Sequence, residues 1–266
     1  MSIRDISELL LLSAVWGFSF LFMRVAVPEF GPIPLIAVRV GTAAAFLVIV
    51  LMFRKGLKPV GAHMRPLAIL GFINSALPYT LFAFSVLYIT AGFSAILNAT
   101  VPLFTAAVAY VWLRDRLSVL QFLGVLVGFF GVVVLVLNKG VFAIEGSGLA
   151  IVAALVGAFS YALAANYTKQ SLSKVDSFSI ATWSLVFATI VLLPLAVYFW
   201  PSTAPSFNAW MNALALGILC TAFTLIVYFH LLARVGPAKA VLLTYLLPVF
   251  GMLWGAIFLQ EIITIS

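Results

Sequence analysis

A single basic side chain falls well inside an apolar run of this sequence: Arg39, in PIPLIAVRVGTAAAF (32–46). On insertion scales an arginine at the centre of a bilayer costs about 3 kcal/mol, so it has to face a cavity or a partner. Two functional readings follow: capture of a solute carboxylate, or a gating salt bridge, with Glu29 of the preceding loop within reach. Snorkelling to the interface and a purely structural bridge stand beside them. All seven acidic residues (Asp5, Glu8, Glu29, Asp115, Glu145, Asp176 and Glu261) lie in loops or at the ends of apolar runs. An embedded carboxylate is the usual proton relay of a pump, so a carboxylate-coupled mechanism has little support. His230 could act as a proton-carrying side chain, but its place near the end of an apolar run reads as interfacial, and His63 sits in a basic loop. There is no HExxH pattern, and the lone Cys220 cannot build a thiolate cluster. No metal and no cofactor is expected.

Prolines add a second kind of chemistry. A proline inside a helix leaves the carbonyl four residues earlier without its hydrogen bond. Pro78 frees Asn74, Pro102 frees Asn98 and Pro248 frees Thr244, in each case the carbonyl of a polar residue. Exposed main-chain oxygen is tolerated at membrane depth only where protein or a watery cavity satisfies it. These breaks are candidates for a solute site, or else kinks that shape the bundle. Trp16, Phe18, Phe20, Tyr79, Tyr161, Trp183, Tyr228 and Tyr245 lie in the apolar runs and could stack on a flat or apolar solute. Beside Ser19, Asn98 and Thr244 they favour an amphiphilic organic molecule over a bare ion. Taken singly, each aromatic reads equally as packing or interfacial belt.

The elements that must position these residues follow from composition. Of 266 residues, 65% are hydrophobic and 8% charged, whereas a soluble domain carries about 25% charged residues. The chain therefore belongs in a lipid bilayer. Runs long enough to cross about 30 Å of hydrocarbon as helix fall near 8–27, 34–53, 66–88, 92–113, 119–138, 148–168, 178–200, 209–233 and 237–259. No segment alternates with period two, which argues against a barrel. The net charge of +7 comes without a basic face or a nucleic-acid module. With the N-terminus cytoplasmic, one set of loops holds 11 of the 14 Lys and Arg residues, the bias expected of cytoplasmic loops. Gly124 and Gly128, spaced for close helix contact, are assigned to packing or to a homo-oligomer.

The sequence also repeats. An offset of 146 brings Pro102 onto Pro248 and Asp115 onto Glu261; an offset of 145 brings Trp16 onto Tyr161 and Arg24 onto Lys169. Five spans separate the copies, and an odd number turns the second copy upside down in the membrane, the arrangement of many secondary transporters. Domains of 1–138 and 139–266 result.

Several stretches resemble the EamA-type family of the drug/metabolite transporter superfamily: WGFSF (16–20), Arg39 in VRVGTAAAF, Pro102 through to Asp115, QFLGVLVGFFGVVVL (121–135), and the repeated Pro248-to-Glu261 pattern. Arg114-Asp115 departs from the family's usual Gly-Glu. The resemblance implies an all-α, polytopic transmembrane bundle of two inverted five-helix repeats. Nine helices are present here, and a tenth is expected beyond Ser266. It further implies a multi-pass permease of the inner (plasma) membrane. That permease exports small organic metabolites, amino acids or related and perhaps aromatic compounds first and hydrophobic drugs second, by alternating access. A facilitator or channel for the same solutes is the alternative. Against an intramembrane enzyme, paired membrane aspartates are missing, and the serine of Glu145-Gly146-Ser147-Gly148 lies on the side opposite both histidines.

Overall fold

The computed structural model describes residues 2–53, 61–114, 123–124, 127, 130–131, 146–235 and 243–261, the side chains of 229, 232, 233, 244 and 245 excepted. Among the described residues every regular element is helical. They are α1 (Ile3–Phe30), α2 (Pro32–Phe53), a 3-10 turn (Gly61–His63), α3 (Met64–Gly71) and α4 (Leu77–Tyr88); then α5 (Ala91–Asn98), α6 (Val101–Trp112), α7 (Ser147–Ser171), α8 (Ser177–Tyr198), α9 (Phe207–Gly217), α10 (Thr224–Val235) and α11 (Leu243–Leu259). Seven helical stretches are long and apolar enough to cross a membrane, and the apolar part of α11 is shorter. The chain is a multi-pass, all-helical membrane protein. Of the expected span at 119–138 only residues 123, 124, 127, 130 and 131 are described, all of them helical; Asp115, Glu145, Lys139 and Gly128 lie outside the described residues.

Helix starts are written locally. The Ser2 hydroxyl accepts from Asp5 N at 3.2 Å while Asp5 accepts from Ser2 N at 2.8 Å, a capping box that satisfies two orphan donors. Gly31, at φ +77°, ends α1, and Pro32 opens α2 where a missing N–H costs nothing. Thr90, Asp176 and Ser206 cap α5, α8 and α9 through Phe93 N, Ser179 N and Ala209 N.

The exposed side chains are large and apolar, among them Phe46, Ile49, Leu149, Val152, Ile190 and Leu193, whereas the buried faces of α7, α8 and α9 are rich in alanine, serine, threonine and glycine. Lipid solvates the former as well as protein would, so close backbone approach through small residues holds the bundle together. Contacts pair α1 with α11 and α9, α7 with α6 and α4, α2 with α8 and α9, α3 with α8, and α5 with α11.

Two π-helical segments interrupt the bundle, Phe72–Ala76 and Ile218–Phe223. Their first residues are 146 apart. In the first, Pro78 offers no N–H to the Asn74 carbonyl, and the ladder slips so that Leu77 N bonds Phe72 O. In the second no proline follows; the Thr221 hydroxyl donates to Leu216 O at 2.9 Å and the Thr224 hydroxyl to Thr221 O at 3.2 Å. At Pro102 the chain makes a turn over Ala99 and Thr100 before α6 begins. Pro248 corrects the sequence expectation, since α11 runs through it unbroken. One missing bond does not end a helix whose flanks are packed against a neighbour.

Candidate functional site

Arg39 projects from α2 into the centre of the bundle and is 5% exposed. It stands about 10 Å along α2 from Pro32 at 1.5 Å per residue. Its Nε donates to Thr221 Oγ1 at 2.9 Å, and its Nη1 lies 3.9 Å from the Met23 sulfur. The Tyr79 ring covers one face, 3.8 Å from Cζ to the centroid, a cation–π contact worth about 2 kcal/mol when water is excluded.

Close helix approach creates these contacts. A Cβ on Gly217 would run into Thr42 Oγ1 and would stand 2.9 Å from the Arg39 carbonyl. The glycine therefore lets α9 lie directly on α2, and the following π turn carries Thr221 to the guanidinium. A Cβ on Gly71 would likewise strike the Ser184 carbonyl of α8.

Tyr79 leads into a row of rings: Tyr79–Tyr161 with centroids 6.2 Å apart, Tyr161–Phe82 at 6.0 Å and Phe82–Phe20 at 6.0 Å. On the other flank the Cys220 thiol donates to Val15 O at 3.1 Å and lies within interaction range of both Arg39 and Ser19. That contact falls short of hydrogen-bond geometry for Ser19, whose buried Oγ has no partner among the described residues. Among those residues no carboxylate stands within 4.0 Å of Arg39. The expected Glu29 bridge is not formed. Glu29 instead accepts Ser206 N at 2.6 Å and Ser206 Oγ at 2.8 Å, because the start of α9 offers unpaired donors at the rim while Arg39 is buried below it.

The other sequence candidates divide. Trp16 packs on Tyr228 at 5.6 Å, beside a cluster of Leu9, Leu12, Leu231, Leu243 and Leu247. Trp183 joins a separate cluster with Leu67, Leu70 and Leu172. Asn74 lies half-buried in the first π segment, and Asn98 is the half-buried last residue of α5. The side chains of Thr244 and Tyr245 lie outside the described set. Gly124 is exposed, with nothing within 4 Å of an added Cβ.

Sequence inspection alone missed Thr221, Met23, Cys220 and Arg24, whose Nη1 donates to the Val86 carbonyl. One signal was available for the first: the 146-residue offset pairs Gly71-x-x-x-Ser75 with Gly217-x-x-x-Thr221.

The two ends of the bundle are closed differently. At one, Arg234 pairs with Asp5 at 3.3 Å and with Glu8. At the other, Phe30 packs on Trp200 at 6.0 Å and Trp210 at 5.0 Å, and the Glu261 carboxylate accepts Ala91 N at 2.8 Å and Gly92 N at 3.2 Å. A surface cavity of about 360 Å³ lined by Phe84, Tyr88, Gly146 and Leu149 lies apart from Arg39.

A model of the EamA-like transporter family matches residues 6–137 and 148–266. The uncharacterized transporter YoaV of Bacillus subtilis is 24% identical over 257 residues, covering 95% of this chain and 87% of that one. A probable terminal-alkyne amino-acid exporter of Streptantibioticus cattleyicolor is 25% identical over 263 residues, with 97% and 86% covered. A protein of known crystal structure superposes with a TM-score of 0.67 at 17% identity, over 99% of this chain and 91% of that one, a likeness of fold.

Proposed function

The chain belongs to the EamA-like transporter family, and from that premise we propose that it exports small organic metabolites by alternating access between two inverted halves. Amino acids or related compounds, aromatic ones among them, are the proposed solutes. The observation that carries this reading is Arg39, a buried cation without a carboxylate among the described residues, placed where α2 meets the π turn after α9 and the ring of Tyr79. A solitary charge at such depth is a functional group by default. One relative is named as a probable amino-acid exporter, which supports the solute class.

Several paired features support inverted halves of 1–138 and 139–266. Both π segments, and the glycines preceding them, stand at the same offset. Trp16 on Tyr228 corresponds to Tyr161 on Phe82. Among the described residues, only Arg114 (φ +55°) and Gln260 (φ +54°) adopt left-handed backbone without being glycine, and they too are 146 apart. The contacts of α1 with α11 and α10 are matched by those of α7 with α6 and α4.

In the proposed topology the N-terminus is cytoplasmic, in an inner or plasma membrane. The Arg234 pairs then form the inner gate and the Phe30–Trp200–Trp210 cluster the outer one. In this reading the burial of Arg39 between them marks an occluded conformation. Solute counterflow in proteoliposomes tests the cycle: accelerated exchange by unlabelled amino acid on the far side is expected, and an equal rate with none there would refute alternation.

A facilitator is the second reading, favoured by the placement of every acid in a loop or near the end of an apolar run. Uptake that ignores an imposed pH gradient supports it, and uphill accumulation rejects it. Gly124, exposed with free space around it, is proposed with Gly128 as a homo-oligomer contact; a Gly124→Leu variant of unchanged oligomeric state would overturn that.

A further inference from the structure

Resting on that transporter reading, we propose that Arg39 is the anchor for a single substrate carboxylate, gripped in plane by the Nη1/Nη2 edge of the guanidinium. The site then prefers monoanionic carboxylates, or the carboxylate end of an amino acid, with an apolar or aromatic body.

The geometry defines which part of the guanidinium is free. Tyr79 occupies a face, and a second partner cannot approach from there. Nε is committed to Thr221. What remains is the far edge, where Nη1 meets only the Met23 thioether at 3.9 Å, a weak acceptor that a carboxylate displaces. No hydrogen bond from Nη2 is formed among the described residues. That edge presents two parallel N–H donors, the geometry matched by a carboxylate. The Thr221 bond and the Tyr79 ring hold the fork rigid, so little side-chain entropy is lost on binding.

Charge selects among oxyanions. One guanidinium neutralises one negative charge. The contacts of Arg39 among the described residues, Thr221, Met23 and Tyr79, include no second cation. A dianionic phosphate would leave a charge uncompensated in a low-dielectric interior, which is costly. The row Tyr79–Tyr161–Phe82–Phe20 begins at the guanidinium and offers the apolar body its surface. Ser19 supplies the remaining polar contact, since its buried hydroxyl has no hydrogen-bond partner among the described residues.

The test compares matched probes on the purified full chain: 3-phenylpropionate against 3-phenylpropionamide, with L-phenylalanine and inorganic phosphate as further arms. Thermal protection and proteoliposome exchange are both read. The expected result is about tenfold or greater preference for the carboxylate over the amide, the weight of a charge-assisted bond, with no protection by phosphate. In Arg39→Gln the preference should vanish while exchange of the amide persists. Arg39→Lys, which keeps the charge without the fork, should retain only part of it and serves if the glutamine variant fails to fold. Equal affinity for carboxylate and amide in the unmodified protein overturns the proposal, as does phosphate protection equal to that of the carboxylate. Failure to exchange any solute, amide included, would instead reject the transporter reading itself.

Discussion

The Glu261 carboxylate accepts the Ala91 N–H at 2.8 Å, so the far end of α11 caps the start of α5. Gly92 N supplies the second oxygen's partner at 3.2 Å, and Thr90 takes Phe93 N. Three of the four orphan donors of that helix are thus satisfied. The cap is aimed by Gln260, whose left-handed backbone turns the chain so that Glu261 N returns to Gly255 O at 3.1 Å. Glycine is the usual residue for such a turn.

Glu261→Ala removes both acceptors and is expected to destabilise the protein by about 1 kcal/mol, the ordinary weight of a cap. Glu261→Gln keeps an oxygen and should cost less. Thermal unfolding in detergent measures both; alanine as mild as glutamine would count against the cap. Gln260→Gly relieves the backbone and should raise the unfolding temperature.

Gly217→Ala places a methyl against Thr42 Oγ1 and the Arg39 carbonyl. Overpacking of this kind costs about 1–3 kcal/mol, and it pushes Thr221 away from the guanidinium. Exchange activity should fall along with stability. Gly61→Ala, exposed and with nothing among the described residues within 4 Å of the added methyl, is the control and should leave both unchanged.

Tyr79→Leu removes the ring from Arg39, whereas Tyr79→Phe leaves it. The leucine variant should weaken solute binding by up to about thirtyfold, the full worth of the contact of about 2 kcal/mol that holds the guanidinium in place. The phenylalanine variant should stay within a factor of about two. Equal losses would place the effect in the hydroxyl and not in the ring.

Cys220 is the chain's one cysteine, and it is 1% exposed beside the site. It therefore reports opening. Labelling by a membrane-impermeant maleimide should be slow in the unmodified protein. It should speed up from the Arg234 side in Arg234→Ala, which loses the pairs to Asp5 and Glu8, and from the opposite side in Glu29→Ala, which releases Ser206. Saturating solute should slow both. Labelling unaffected by either variant would show that these contacts do not gate access.

Much of the architecture was legible before any coordinates. Pro32–Phe53 and Ser177–Tyr198 fall close to the apolar runs predicted at 34–53 and 178–200, because lipid demands apolar residues around the whole circumference of a helix. The break before Pro102 was visible for a similar reason, since a missing N–H is a property of one residue. The continuity of α11 through Pro248 was not, because it depends on what surrounds the proline.

The site divides in the same way. That Arg39 needs a partner follows from its charge and its neighbours in the chain. Which partner it has does not: Glu29, ten residues away, was the natural candidate, and the bond goes to Thr221, 182 residues distant. The choice was made by Gly217, which lets two helices touch, and by a π turn that swings the threonine inward. Transfer from water to lipid is a sum over residues, so the sequence by itself determined where the described spans fall and which polar residues interrupt them. The partners of a buried charge depend on helix contacts that meet only in three dimensions, so only the tertiary structure decided what Arg39 touches and which edge it keeps free.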